Sequence, residues 1–462
     1  MITLDNIDNL KKYKHIHLIG IGGVSMSGIA EILHHFGLLV TGSDCAKSRI
    51  TDRLASHGIF VSIGHSTSLV EKSDLVIYSA AISQDDPELV YAKSHNIVTI
   101  ERADFVGFLT RVYNDTIGIS GTHGKTTTTS MISLCFIEAG LDPNIQVGAY
   151  LKPINGNYRV GKSDYFILEA CEYVESFLKF NPKAAVVLNI DNDHLDYFKT
   201  LDNIVKAFNK YVSLLPRDGL LVTNADDENC VDLRKNTYAR VVTFAINNSK
   251  ANFVARNISF DSNGFAKFDV YYNNTYYAEI KLSIPGLHNV YNALACIALC
   301  FNYGIEKYTI KTALKKFTGA SRRFELVGSY NNIYVYDDYA HHPSEILATV
   351  NALKNKTYRQ SWVVFQPHTY SRTKELLDDF AKALLDFNNI IITDIYAARE
   401  KNTYNISSQD LVNKINSLGK KAVYIKDFDE IATYIRERAC PNDIILTIGA
   451  GTVVEVSKKI LL

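Results

Sequence analysis

One short string limits what this chain can become more than any other: Gly118-Ile119-Ser120-Gly121-Thr122-His123-Gly124-Lys125-Thr126-Thr127-Thr128-Thr129. It lies between a β-branched run, Thr116 to Ser120, and an apolar run that reads as a helix from Thr126 to Ala139, closed by Gly140. A strand that turns through glycines into a helix presents backbone N–H groups and the positive end of the helix dipole, a setting for phosphate oxygens. Gly121 and Gly124 let the backbone turn and come close, Lys125 is long enough for the β- and γ-phosphates, and Thr126 offers a hydroxyl to Mg²⁺. Thr122, His123 and Thr127 complete the turn around the triphosphate. The general phosphate-loop spacing wants glycine where Ile119 stands. A turn that only caps a helix is the bland alternative; four consecutive threonines, poor helix formers, argue against it.

The rest of the chain supplies the setting for that loop. With 462 residues it is too long for one core, and about three domains are expected. In the first, His15 to Ile19 reads as a buried strand, a glycine turn follows, and Met26 to Phe36 reads as a helix closed by Gly37. Leu38 to Thr41 and Leu75 to Ser79 are further strands, so a parallel α/β sheet is expected over residues 1–110. The second, 111–320, holds the loop, strands at Tyr165 to Leu168 and Ala184 to Ile190, and a Phe/Tyr/Val-rich stretch from Asn252 to Ile284. That stretch is broken by Ser262-Asn263-Gly264 and Asn273-Asn274, which predicts a small antiparallel insertion. A helix from Asn289 to about Asn302 follows. The third, 321–462, has strands at Tyr334 to Tyr336, Trp362 to Phe365, Ile390 to Ile395, Val423 to Ile425 and Ile444 to Ile448, and reads as another doubly wound sheet.

Charge and cysteine usage narrow the function. Lysine plus arginine and aspartate plus glutamate both number 49, so no net field draws in nucleic acid or an anionic membrane. No apolar stretch reaches the roughly 20 residues of a membrane span. Met1 to Asp5 lacks the basic start and apolar run of a leader, and a cytoplasmic protein is expected. Cys45, Cys135, Cys171, Cys230, Cys296, Cys300 and Cys440 show no paired motif and no zinc-type spacing, which predicts reduced, mostly buried thiols.

Polar groups at the ends of parallel strands mark where such sheets bind ligands. Glu169 closes one strand in Glu169-Ala170-Cys171-Glu172-Tyr173, and Asn189-Ile190-Asp191-Asn192-Asp193-His194-Leu195-Asp196 follows another. A carboxylate and an imidazole there could hold a metal beside a nucleotide; an acidic loop that is merely solvated is the alternative. Asn289 suits a helix cap, while Asn292 is harder to explain structurally. Gly20-Ile21-Gly22-Gly23-Val24-Ser25 approximates a dinucleotide turn, with Asp44 placed like its ribose-binding acid. Arg322-Arg323 and His341-His342 follow as paired charged or titratable groups, and Arg372 could grip a carboxylate with two parallel hydrogen bonds.

Taken together these strings resemble the Mur ligases, in the family's order, from about residue 15 to residue 452. Gly121 to Thr129 looks like that family's ATP loop, in which isoleucine at 119 is no departure. The string His17 to Glu31 resembles the UDP-binding turn of the members that add L-alanine, and Ser79-Ala80-Ala81-Ile82 fits the same group. The resemblance implies three domains: a Rossmann-like UDP-binding domain, a P-loop ATPase-like domain with the antiparallel insertion, and a Rossmann-like C-terminal domain. It implies ATP-dependent joining of L-alanine to UDP-N-acetylmuramate in peptidoglycan synthesis, with two Mg²⁺ ions and a monomer or homodimer. Thr126, Glu169 and His194 are implied as metal ligands or contacts, and Lys125, His194 and Arg372 as the catalytic set. Asn292 is implied at the adenine, Arg323 and Asp337 at the nucleotide. Gly20, Gly22, Gly23, Ser25, Asp44 and Ser79 are implied at the UDP moiety. His341, His342 and Arg372, the last within Gln366-Pro367-His368-Thr369-Tyr370-Ser371-Arg372-Thr373, are implied at the amino acid. A carbamylated lysine found in several members has no matching motif here; Lys206 and Lys210 lie in the right stretch. Other readings are an NAD-dependent oxidoreductase using the first glycine turn, a phosphate-loop protein that hydrolyses ATP without ligation, and a recycling ligase that attaches a whole tripeptide.

Overall fold

The structure is a computed structural model that describes residues 7–398 and 400–462. The reading of Met1 to Asp5 as lacking the features of a leader falls outside the described residues. Three sheets organise the rest.

The first contains β1 (His15–Ile19), β2 (Leu39–Asp44), β3 (Phe60–Ile63), β4 (Leu75–Tyr78) and β5 (Val98–Glu101), all parallel in the order β3-β2-β1-β4-β5. β1 is buried along its whole length, as a strand covered on both faces must be, and the helix Val24–His35 packs its Ile29, Ile32 and Leu33 beneath it. Helix starts are marked by the expected side-chain acceptors: Ser48 in a capping box with Thr51, and Asp86 accepting from the N–H groups of Glu88 and Leu89.

The second sheet has ten strands. β6 (Asp115–Ser120) is followed by the hairpin β7 (Asn144–Leu151) and β8 (Gly156–Arg159), then β9 (Tyr165–Glu169), β10 (Ala184–Val187), β11 (Leu220–Asn224) and β12 (Arg240–Ala245). β13 (Phe253–Phe260), β14 (Phe265–Tyr272) and β15 (Thr275–Pro285) are the predicted insertion. The order is β15-β14-β13-β12-β11-β10-β6-β9-β7-β8, so β6 lies between β10 and β9 and is parallel to both.

The third sheet runs β16-β17-β21-β18-β19-β20, with β16 (Glu325–Tyr330), β17 (Ile333–Asp338), β18 (Ser361–Phe365), β19 (Asn389–Ile392), β20 (Ala422–Tyr424) and β21 (Ile444–Ile448). It departs from the expected doubly wound sheet at one edge, where β16 is antiparallel to β17.

By internal contact the chain divides into two compact units. One comprises the chain up to Arg256 with Val270–Ala278 and Tyr291–Leu314; the other comprises Asn257–Asp269, Glu279–Val290 and Lys315–Leu462. Each carries its own polar cluster at the C-terminal ends of parallel strands. No helix among the described residues is long and apolar enough to cross a membrane.

Candidate functional site

β6 delivers Ser120 to the sheet edge with β9 and β10 in register beside it, Ile119 opposite Glu169 and Ser120 opposite Val187. Gly121 has φ 136° and Gly124 φ 87°, backbone that other residues adopt only with strain. A Cβ on Gly121 would stand 3.1 Å from the backbone nitrogen of Leu188, and one on Gly124 would stand 2.5 Å from Oδ1 of Asn292. The helix Lys125–Glu138 begins without a side-chain cap, so the N–H groups of its first turn have no partner within the helix. Ser120 adds a buried hydroxyl with no hydrogen-bond partner among the described residues. This is a cradle of donors that fits phosphate oxygens.

Asn189, to which sequence reasoning gave no role of its own, clasps the loop. Its Oδ1 accepts from the His123 N–H at 2.8 Å, its Nδ2 donates to the His123 carbonyl at 3.1 Å, and its own carbonyl accepts from the Thr122 N–H at 3.0 Å. The Thr122 hydroxyl accepts from the Asp191 N–H at 2.9 Å, and the His123 ring stands 3.7 Å from the Asp191 carboxylate. Its position directly after a buried strand was the available signal.

Glu172 was missed in the same way. The Lys125 ammonium lies 3.0 Å from both Glu172 oxygens and donates to the carbonyls of Gly121 at 2.5 Å and Thr122 at 3.1 Å. Burial opposes the lysine's charge, but Glu172, with smaller contributions from Cys171 and Glu169, raises its pKa above the usual lysine range. The group is a fixed cation.

Next to it the Thr126 hydroxyl donates to Glu169 Oε2 at 3.1 Å, while Glu169 Oε1 accepts from the Gly148 N–H. A hydroxyl and a carboxylate side by side are the hard oxygen donors that suit Mg²⁺. His194 is held elsewhere: its Nε2 is 3.7 Å from the Asp193 carboxylate and its ring packs on Tyr173 with centroids 4.6 Å apart. Two of the three expected metal ligands are thus in contact, and no contact among the described residues joins the third to them. Lys210 is exposed and paired with Glu175 at 3.0 Å, and Lys206 is exposed.

In the first sheet, Gly20 has φ 78° and the Gly22 N–H donates to Asp44 Oδ2 at 2.8 Å. Asp44 Oδ1 accepts from the Ala46 N–H at 3.3 Å, so this carboxylate shapes the turn itself. Gly23 precedes the helix that begins at Val24, and the Ser25 hydroxyl accepts from Gln146 at 2.7 Å and Arg102 at 3.4 Å. Ser79 accepts from the Ala81 N–H at 3.2 Å, closing the turn after β4.

The second unit carries its own cluster. Arg322, not assigned from sequence, donates to Asp337 at 2.9 Å and to the carbonyls of Gly451 and Gly449 at 3.1 and 2.6 Å. Asp337 is fully buried and also accepts from Thr447 at 2.6 Å, so the side chain expected near the nucleotide is enclosed by the protein. Burial raises its pKa, with Arg322 and Thr447 opposing that rise. Arg323 lies over the Tyr339 ring at 5.4 Å, with Glu345 3.9 Å away. His342 caps the helix Pro343–Lys354 through Ser344. His341 Nδ1 donates to the Tyr339 carbonyl at 3.0 Å, and the His341 ring meets His368 edge-on at 5.5 Å. Burial first, then His341 and Arg372, push the His368 pKa down to about 4. The ring is therefore neutral at pH 7, and Arg372 Nη1, 3.4 Å from its Nδ1, makes that nitrogen the acceptor.

Three family models cover the chain: Mur ligase family, catalytic domain, over residues 15–114; Mur ligase middle domain over 119–300; and Mur ligase, glutamate ligase domain, over 322–451. The chain belongs to the Mur ligase family. This Mur ligase is 50% identical over 450 residues to the UDP-N-acetylmuramate–L-alanine ligase of Acetivibrio thermocellus, covering 97% of this chain and 96% of that protein. It is 47% identical to the protein of the same name from Clostridium tetani, covering 97% and 98%. Among solved structures, UDP-N-acetylmuramate-alanine ligase from Thermotoga maritima matches this Mur ligase with a TM-score of 0.84 at 31% identity, covering 97% and 98% of the two chains. A murein peptide ligase from Psychrobacter arcticus shares the fold, with a TM-score of 0.73 at 24% identity over 97% and 98% of the two chains.

Proposed function

We propose that this Mur ligase joins L-alanine to UDP-N-acetylmuramate at the expense of ATP, the first addition to the peptide of a peptidoglycan precursor. The observation that carries the reading is the uncapped helix start at Lys125, with its cation fixed over the glycine turn. Likeness over nearly the full chain to ligases of that name supports the choice of substrates, and the tripeptide-recycling alternative is not favoured.

An amine cannot displace oxide from a carboxylate, so the carboxylate must first gain a leaving group. Its oxygen attacks the γ-phosphorus of ATP, the bond to the β-phosphate oxygen breaks, and ADP departs. The alanine ammonium gives one proton to solvent, its nitrogen attacks the acyl carbon, phosphate leaves with the bonding pair, and the nitrogen gives up a second proton to solvent to yield the amide. Lys125 and the first-turn N–H groups stabilise charge on the transferring phosphoryl group. Thr126 and Glu169 would hold Mg²⁺, and His194 is the further ligand that the family resemblance implies. When bound, Mg²⁺ neutralises charge on the phosphates. Asn292 meets the base, Arg323 the phosphates. Gly20, Gly22, Gly23, Ser25 and Ser79 line the UDP site, in a turn that Asp44 braces. Arg372, with His341 and the neutral His368, receives the carboxylate of alanine. The protein works in the cytoplasm.

The deciding experiment measures ADP release with UDP-N-acetylmuramate against a panel of amino acids and the tripeptide. ADP release that requires free L-alanine is expected. Release with tripeptide alone, or independent of any amino acid, rejects the proposal.

A further inference from the structure

Three cysteines meet inside the first unit although their spacing in sequence gave no sign of it. Cys135 lies near the end of the helix that begins at Lys125, and Cys296 and Cys300 lie one turn apart on the helix Leu287–Asn302, hence on one face. The Cys296 sulfur is 3.6 Å from that of Cys135 and 3.9 Å from that of Cys300, and all three lie within 4.8 Å of one another. Each residue is 0% exposed. An ion about 2.3 Å from each of several thiolates in tetrahedral array holds the sulfurs roughly 3.8 Å apart. Two of the three edges already have that length. Packing does not demand sulfur here, because the same helix fills its other small buried positions with Ala293, Ala295 and Ala298.

We propose that Cys135, Cys296 and Cys300 form a binding site for one thiophilic divalent cation of the Zn²⁺ or Cd²⁺ class. Charge favours a divalent over a monovalent soft ion: three thiolates with a dication leave one net negative charge in the core, whereas a monocation leaves two, and buried charge is costly. The balanced step is M²⁺ + 3 RSH → [M(SR)₃]⁻ + 3 H⁺, so affinity rises with pH. Among the described residues no fourth histidine, cysteine or carboxylate joins the group. The ion would tie together the two helices that carry the loop lysine and Asn292, the amide seated against Gly124.

The test uses the reduced full-length protein and Cd²⁺ buffered by a competing chelator, read by the sulfur-to-cadmium charge-transfer absorbance and by bound Cd²⁺ per chain. One Cd²⁺ per chain is expected in the wild type and in a C45S/C440S double variant, which removes two exposed thiols. Cys135→Ala, Cys296→Ala and Cys300→Ala should each lower the affinity by at least roughly a hundredfold, since loss of even an outer partner of a metal ligand costs up to that. Cd²⁺ should raise the melting temperature of the wild type and of none of these three. Failure of the reduced wild type to take Cd²⁺ from the chelator overturns the site. So does undiminished binding by the Cys296→Ala protein, or a native Cys135–Cys296 disulfide found by mass.

Discussion

Arg322 and Arg323 are neighbours in sequence yet differ in what they hold. Arg322 is committed to Asp337 and to two carbonyls of the 449–451 turn, while Arg323 lies on the Tyr339 ring near Glu345. No local pattern separates two adjacent arginines, because the difference is made by a turn more than a hundred residues away. The glycine turn before the helix at Lys125 was legible for the opposite reason: all its donors come from one contiguous string. Lys125→Ala should lower alanine-dependent turnover by on the order of a thousandfold, the scale for a removed electrostatic stabiliser. Steady-state ADP release checks it, and near-normal ligation would exclude the assigned role. Arg372→Lys keeps the charge but loses the planar fork. It should raise the KM for alanine with little change in the KM for ATP; an unchanged alanine KM would reject the carboxylate-binding role.

At the level of elements, full burial helped but did not suffice, since β11, buried along its whole length, was not foreseen. β1 and β21 were expected over the same residues the structure gives them. β3 and β5, partly exposed and four residues long, and the hairpin β7–β8 passed unnoticed, because short runs with mixed polarity carry little periodicity. The helix expected to start at Asn289 begins at Leu287; Asn289 lies inside it and donates to the Pro285 carbonyl at 2.7 Å. Asn189 shows why a motif can be seen and one of its members left without a role: its amide is used on the loop backbone, which only the fold brings to it. Gly124→Ala tests how tightly these elements fit. The added methyl would sit 2.5 Å from Asn292 in a left-handed backbone, so both loop and neighbouring helix must shift. Nucleotide affinity should fall by at least about tenfold, a cost of about 1.4 kcal/mol, within the range for such strain. Binding of an ATP analogue by calorimetry measures this, and unaltered affinity would show that the loop is not the nucleotide site.

For the molecule as a whole, buried groups with shifted pKa values make stability depend on pH. His368 has a pKa of about 4, below its unfolded value near 6.5, so its stabilising contribution is complete above that value and disappears as pH falls towards 4. Asp338 acts in the opposite sense. Burial lifts its pKa to about 6, above an unfolded value near 3.9, so its contribution grows as pH falls through the same window. Removing the histidine leaves the aspartate unopposed. The melting temperature of His368→Asn, minus that of the wild type, should therefore become more positive between pH 6.5 and 4; a difference that stays flat would refute the assignment of a depressed histidine. Such couplings, like the meeting of three distant cysteines, were invisible in one sequence because only the folded chain brings the groups together. β7 touches two chemistries at once: Gln146 holds Ser25 of the glycine turn, and two residues later Gly148 holds Glu169 beside Thr126. Two steps along a strand span about 7 Å and return to the same face. This short stretch is a calliper, and inserting a single residue into it would misset both jaws together. Lineages of this protein should accordingly vary the letters between those anchors far more freely than their number.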